Sequence, residues 1–130
     1  MYKAVTHNIE VTVSPTFLPD HSEPEEQRFV WAYEVEIRNG SAEKVRLRNR
    51  HWRIIDGTGK VEEVRGPGVV GEQPVLLPGA AFRYTSGCPL TTESGFMVGR
   101  YEMERDTGER FWIDVPPFSL DLPDATRTVN

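Results

Sequence analysis

With Cys88 as its only cysteine, the 130-residue chain can form neither an intrachain disulfide nor a thiolate metal cluster. No apolar run approaches the ~18 residues a membrane helix requires, and Met1 to His7 lack the apolar stretch of a secretory signal. These absences predict a cytoplasmic protein without membrane insertion. An excess of basic residues is missing too. Fifteen Lys and Arg against twenty Asp and Glu leave a net charge of −5, which repels a polyanion on average and argues against nucleic acid as a partner. Segments with helical period are absent as well, and the apolar residues recur in twos.

That period of two organises the chain. Ile9, Val11 and Val13 alternate with polar residues and predict a half-buried strand that stops at Pro15. A polar loop from Thr16 to Gln27 follows. Phe29, Trp31, Tyr33, Val35 and Ile37 then share one face of a central strand, with Glu34, Glu36 and Arg38 on the other. In the run Lys44 to Asp56, Val45 and Leu47 set one parity while Trp52 and Ile54 set the other. One extra residue flips the facing of all that follow, so a bulge is expected near Asn49 to His51.

Further strands are expected at Lys60 to Val64, around Phe82 and Tyr84 up to a break at Gly87-Cys88-Pro89, and at Phe96 to Glu104. Another around Phe111, Ile113 and Val115 is stopped by Pro116-Pro117, after which Phe118 to Leu122 can pair as an edge. Seven or eight short strands between turn signals predict an all-β sandwich of immunoglobulin-like or fibronectin type III-like form. The chain reads as a single domain, 1–130, with residues 124–130 a flexible tail. The expected core includes Trp31, Tyr33, Val35, Ile37, Trp52, Phe82, Tyr101 and Ile113.

Arg65-Gly66-Pro67-Gly68-Val69-Val70-Gly71-Glu72-Gln73-Pro74 has the glycine spacing of a dinucleotide fingerprint. Such a site needs a helix after the glycines, whose N-terminus receives the pyrophosphate. Here Pro67, the β-branched Val69-Val70 and Pro74 forbid one, so NAD and FAD are excluded. Two readings stay open. The glycines supply positive φ angles for a crossing loop, or a backbone nest with Arg65 offers N–H groups and a guanidinium to an anion or an acidic partner.

The run Lys44, Arg46, Arg48, Arg50 and Arg53 contains no acid. It forms a phosphate-tracking row beside His51 and Trp52, or a solvated face paired with Glu34, Glu36 or Glu62-Glu63. The latter is favoured by the acidic total. His7, His21 and His51 have no metal-ligand spacing, and Asp20-His21 with Glu23, Glu25 and Glu26 reads as a solvated loop. Cys88 reads as a small buried side chain. No motif frames a catalytic group, and neither a cofactor nor a metal is called for.

Arg50-His51-Trp52, the run Val61 to Pro74, Leu77-Pro78-Gly79, Thr85 to Leu90, and Pro116-Pro117-Phe118 resemble the signature of the ApaG (CorD) family. The resemblance spans nearly the whole chain. It implies a fibronectin type III-like sandwich, no established enzymatic activity, and a link to cobalt resistance and magnesium efflux. It also implies kinship with domains of eukaryotic F-box proteins and a polymerase-interacting protein, where they serve as protein-interaction modules. Family genes neighbour one for a diadenosine tetraphosphate hydrolase, which keeps a nucleotide ligand in view.

The expectation is a binding or adaptor module that presents the glycine-rich loop to an unidentified protein partner. Its site comprises Arg65, Gly66, Gly68, Gly71 and Glu72, with Arg50 and His51 beside them. The alternative is a small anionic ligand, a nucleotide polyphosphate or pyrophosphate, at Gly66 to Gly71. A monomer, or a weak homodimer through an unpaired strand edge, is expected.

Overall fold

The structure is a computed structural model and describes residues 1–123. The predicted tail, 124–130, lies outside the described residues. Nine strands and two single 3-10 turns, at Pro19–His21 and Pro24–Glu26, make up the regular structure among them. The strands are β1 (Tyr2–Thr6), β2 (Ile9–Phe17), β3 (Phe29–Asn39), β4 (Val45–Asp56), β5 (Val61–Pro67), β6 (Val75–Leu76), β7 (Ala81–Leu90), β8 (Gly95–Arg105) and β9 (Arg110–Leu120). One sheet runs β1-β2-β3-β7. The other runs β5-β4-β8-β9, with β6 also paired to β4. Every pairing between these strands is antiparallel. With β2-β3-β7 facing β5-β4-β8-β9, the protein is a fibronectin type III-like sandwich.

The core follows the alternation. Trp31, Tyr33, Val35 and Ile37 of β3 are buried and face Trp52, Tyr101 and Ile113 of the other sheet. Phe82 is the exception: it is half-buried and packs against the core from outside. Asn39 ends β3 as a fully buried amide. Its Nδ2 donates to the carbonyls of Glu43 (2.7 Å) and Leu76 (2.9 Å), while its Oδ1 accepts from the Ser41 N–H (3.0 Å).

Prolines expected to end strands lie inside them at three places, each where the missing donor is unneeded. β2 does not stop at Pro15 but continues to Phe17, beyond the end of its neighbour β1. β7 does not break at Gly87-Cys88-Pro89, because it is an edge strand whose pairing to β3 continues to Leu90. β9, also an edge, absorbs Pro116-Pro117 in a bulge between the Gly99–Val115 and Met97–Phe118 pairs and continues to Leu120. β1 was not expected. It pairs with β2 through a two-residue turn in which His7 (φ 50°) and Asn8 (φ 64°) are both left-handed.

The sandwich is closed along one flank, where β1 and β2 lie against β9. The opposite flank has the edge strands β5 and β7. It opens as a cleft beside the sequence-predicted site.

Candidate functional site

The bulge in β4 decides how the site is built. Leu47 pairs with Met103 and Asn49 with Glu102, so Arg48 is the extra residue. Arg46 and Arg48 therefore point outward with Glu104, while Arg50 shares the inward parity of Trp52 and Ile54. The three arginines do not form one row, which corrects that expectation. Arg48 pairs with Glu104 (2.7 Å), Lys44 with Asp106 (3.2 Å), and Arg46 donates to the Gln73 carbonyl (3.1 Å). Glu36, proposed as their partner, lies on the other sheet and is bound by Arg83.

The predicted site residues fall into three places. Arg50 and Gly66 face inward. They are register partners, and the absence of a side chain on Gly66 lets the Arg50 guanidinium cross its Cα: a Cβ there would sit 3.1 to 3.2 Å from the guanidinium atoms. Nη1 of Arg50 donates to the carbonyls of Pro67 (2.9 Å) and Gly68 (3.0 Å), pinning the start of the loop.

Arg65 and His51 are also register partners, but they point out of the opposite face of the sheet. His51 Nε2 and Glu63 Oε2 are 2.7 Å apart, and Arg100 Nε donates to His51 Nδ1 (3.2 Å). That contact makes Nδ1 the acceptor and Nε2–H the donor. Arg65, exposed, reaches the same Glu63 carboxylate at 3.4 Å. The His51 hydrogen bond, then that of Arg65, hold the Glu63 carboxyl below the usual range. Arg100 in turn stacks on Trp112, 4.1 Å from its ring centre.

Gly68, Gly71 and Glu72 belong to a tight turn. Val69 N–H donates to the Glu72 carbonyl (2.8 Å) and Glu72 N–H to the Val69 carbonyl (2.9 Å), closing a two-residue loop. Both central residues are left-handed, Val70 at φ 43° and Gly71 at φ 80°. This is the sign pattern of a type I′ turn, which favours Asn-Gly. A β-branched residue in its first position is strained. Gly68, at φ 64°, has its Cα against the Glu72 backbone, and a Cβ would run into that carbonyl oxygen. Val69 anchors the loop: it is 1% exposed and belongs to the core, while Val70 beside it is 54% exposed.

Under the turn lies the cleft, about 440 Å³, between β5 and β7. Its walls include Tyr33, Trp52, Val64, Ser86, Cys88 and Met97, with Arg50 near the turn and Glu62 also on its lining. Burial, more than the nearby Glu62 charge, pushes the Cys88 thiol up to about 11, so it is neutral at ordinary pH. Burial likewise raises the Tyr33 and Tyr84 phenols, and the Tyr84 hydroxyl hydrogen-bonds to that of Tyr101 across the core. Sequence reasoning placed Tyr33 and Trp52 in the core and Cys88 at a break, and missed the cleft. The available signal was parity: past the bulge, Arg50 shares a face with Trp52, an unusual place for a cation. No group of three or more His, Cys, Asp or Glu side chains converges among the described residues, and none of their helices is long and apolar enough to cross a membrane.

The geometry defines a β-sandwich with a hydrogen-bonded glycine turn at an open flank. Residues 19–105 match the family model described as the ApaG domain. Protein ApaG of Brucella anthropi is 61% identical over 130 residues, covering all of both chains, and that of Rhodopseudomonas palustris is 60% identical over the same span. A crystal structure of the putative ApaA protein from Bordetella pertussis superimposes with a TM-score of 0.87 at 43% identity, covering 92% of this chain and 97% of that one. The chain belongs to the ApaG family.

Proposed function

We propose that this chain is a non-enzymatic binding module of the cytoplasm, which presents its glycine turn to a protein partner and through that partner acts in cobalt resistance and magnesium efflux. The observation that carries this reading is Val70. A β-branched side chain held at φ 43° and half out in solvent costs stability and fills no core space. Strain of that kind is retained where the exposed group has a use. The turn beneath it is closed by two backbone hydrogen bonds, which reduces the order lost when a partner docks.

The other site residues have roles in the same surface. Arg50 ties down the Pro67 and Gly68 carbonyls, Gly66 makes room for Arg50, and Gly68 and Gly71 permit the tight turn. His51 holds Glu63, which orients Arg65 toward solvent for a charge-assisted contact. Glu72 closes the turn through its backbone. A chemical step finds little support here: the Cys88 thiol is buried and neutral, and both ring nitrogens of His51 are engaged.

Polyphosphate binding in the loop is the weaker reading, because the N–H groups of Gly68, Val69 and Glu72 are already given to carbonyls. That leaves few donors for a nest. A photo-crosslinker at position 70 tests the partner reading against one at Val5, an exposed valine on β1. One protein captured repeatedly at 70 and not at 5 is expected. Identical capture at both positions would contradict it.

A further inference from the structure

The cleft under the turn has a polarity that the partner reading does not use. Arg50 points into it from β4. Among the described residues the Arg50 guanidinium meets no carboxylate: its hydrogen bonds run from Nη1 to the carbonyls of Pro67 and Gly68. A half-buried cation without a counter-ion is an anion site in waiting. Its field reaches the phenols of Tyr33, Tyr84 and Tyr101, where it favours the charged form against the burial that opposes it.

Apolar side chains share the rest of the lining with Ser86 and the backbone of Gly71 and Gly87. Trp52 forms its floor, packed edge-on to Tyr33 with ring centres 5.6 Å apart. Met97 and the neutral Cys88 add polarisable sulfur, which favours aromatic contact. At the far end stands Glu62. Arg50 pairs with Gly66 and Ile54 with Glu62, so the cation and the acid are four residues apart along β5, about 13 Å at strand rise. Glu62 repels a second negative group, so the cleft suits a single anionic end and disfavours a polyphosphate. About 440 Å³ lies within the range of small-molecule sites.

We infer that the cleft between β5 and β7 binds a small aromatic monocarboxylate, its ring against Ile54 and Val64 above the buried Trp52 and Met97 and its carboxylate on Arg50. The site adjoins the partner surface, since Val70 and Gly71 of the turn also line the cleft, but its acid-against-amide preference is read without any partner.

The test uses 2-naphthoate and indole-3-carboxylate, each beside its neutral amide, with the whole protein. Shifts of the Met97 methyl and the Trp52 indole N–H in NMR report occupancy. Saturable binding of the acids below about 1 mM is expected, with the amides at least about tenfold weaker, the loss of one charge-assisted contact. This comparison needs no variant. Arg50→Gln should weaken the acids to the level of the amides. Val64→Phe fills the cleft from β5 and should abolish binding of both, and Ser86→Leu does the same from β7 should the first variant not fold. Equal affinity for acid and amide, affinity unchanged in a folded blocking variant, or no saturation by any acid would each overturn the assignment. So would displacement of naphthoate by pyrophosphate at lower concentration than by a second carboxylate.

Discussion

The indole of Trp52 lies flat against the backbone of Gly99, its register partner across β4 and β8: a Cβ on Gly99 would sit 2.6 Å from Cζ3 of the ring. The same ring packs edge-on to Tyr33, Tyr101 and Phe118, with centres 5.6 to 6.1 Å apart. The glycine thus makes room for the aromatic cluster at the centre of the sandwich.

Gly99→Ala should therefore overpack this cluster and destabilise the fold by about 2–3 kcal/mol. Urea denaturation measures it. A loss under about 1 kcal/mol would show that Trp52 can shift without strain.

Asn39→Ala removes the amide that serves the Leu76 and Glu43 carbonyls. The Leu76 carbonyl is then left unpaired beside the core, at an expected cost of about 2–3 kcal/mol. Asn39→Asp should destabilise too, since a carboxylate cannot donate to either carbonyl. A stable Asp variant in denaturation would contradict this account of the turn.

Much of this was legible in the sequence, and the failures share a cause. Strand parity gave the core because a one-residue slip exposes a whole face, so the pattern is strict wherever one side is buried. Trp31 through Ile37 fell in place for that reason. Pro15, Pro89 and Pro116 were read as stops because a single sequence does not say which strand edges stay unpaired. The bulge lies at Arg48, one to three residues before the expected Asn49 to His51. That displacement hid the inward turn of Arg50 and with it the cleft, since a site between two sheets depends on which edges face each other. The glycine turn was legible as a loop, but its type I′ hand and the burial of Val69 were not.

Acid sensitivity should be concentrated in the outward carboxylates. Glu104 is held below its ordinary range first by the Arg48 hydrogen bond, and Glu36 by that of Arg83. A carboxyl with a depressed folded value adds stability that is present above its unfolded value and lost as pH falls through the folded one. Melting temperature should thus fall as pH drops below the ordinary glutamate range. Glu104→Gln should flatten that fall, and an unchanged acid limb in this variant would refute the assignment.

Arg65 is exposed, and among the described residues its ion pair is with Glu63 at 3.4 Å on the outer face. Arg65→Ala should change stability by no more than about 0.5 kcal/mol, while partner binding weakens by about 2 kcal/mol as for a hot-spot arginine. A large fall in melting temperature with partner capture intact would make Arg65 part of the scaffold.

The most direct test of the partner-binding account is Val70→Asn, measured for stability and for partner capture together. Asn tolerates the left-handed conformation and gives the Asn-Gly pair that this turn prefers. The account predicts a gain of about 1 kcal/mol in unfolding free energy as strain is relieved, with loss of the partner captured at position 70. A variant that is less stable, or one that captures the partner as well as the parent chain, would contradict it.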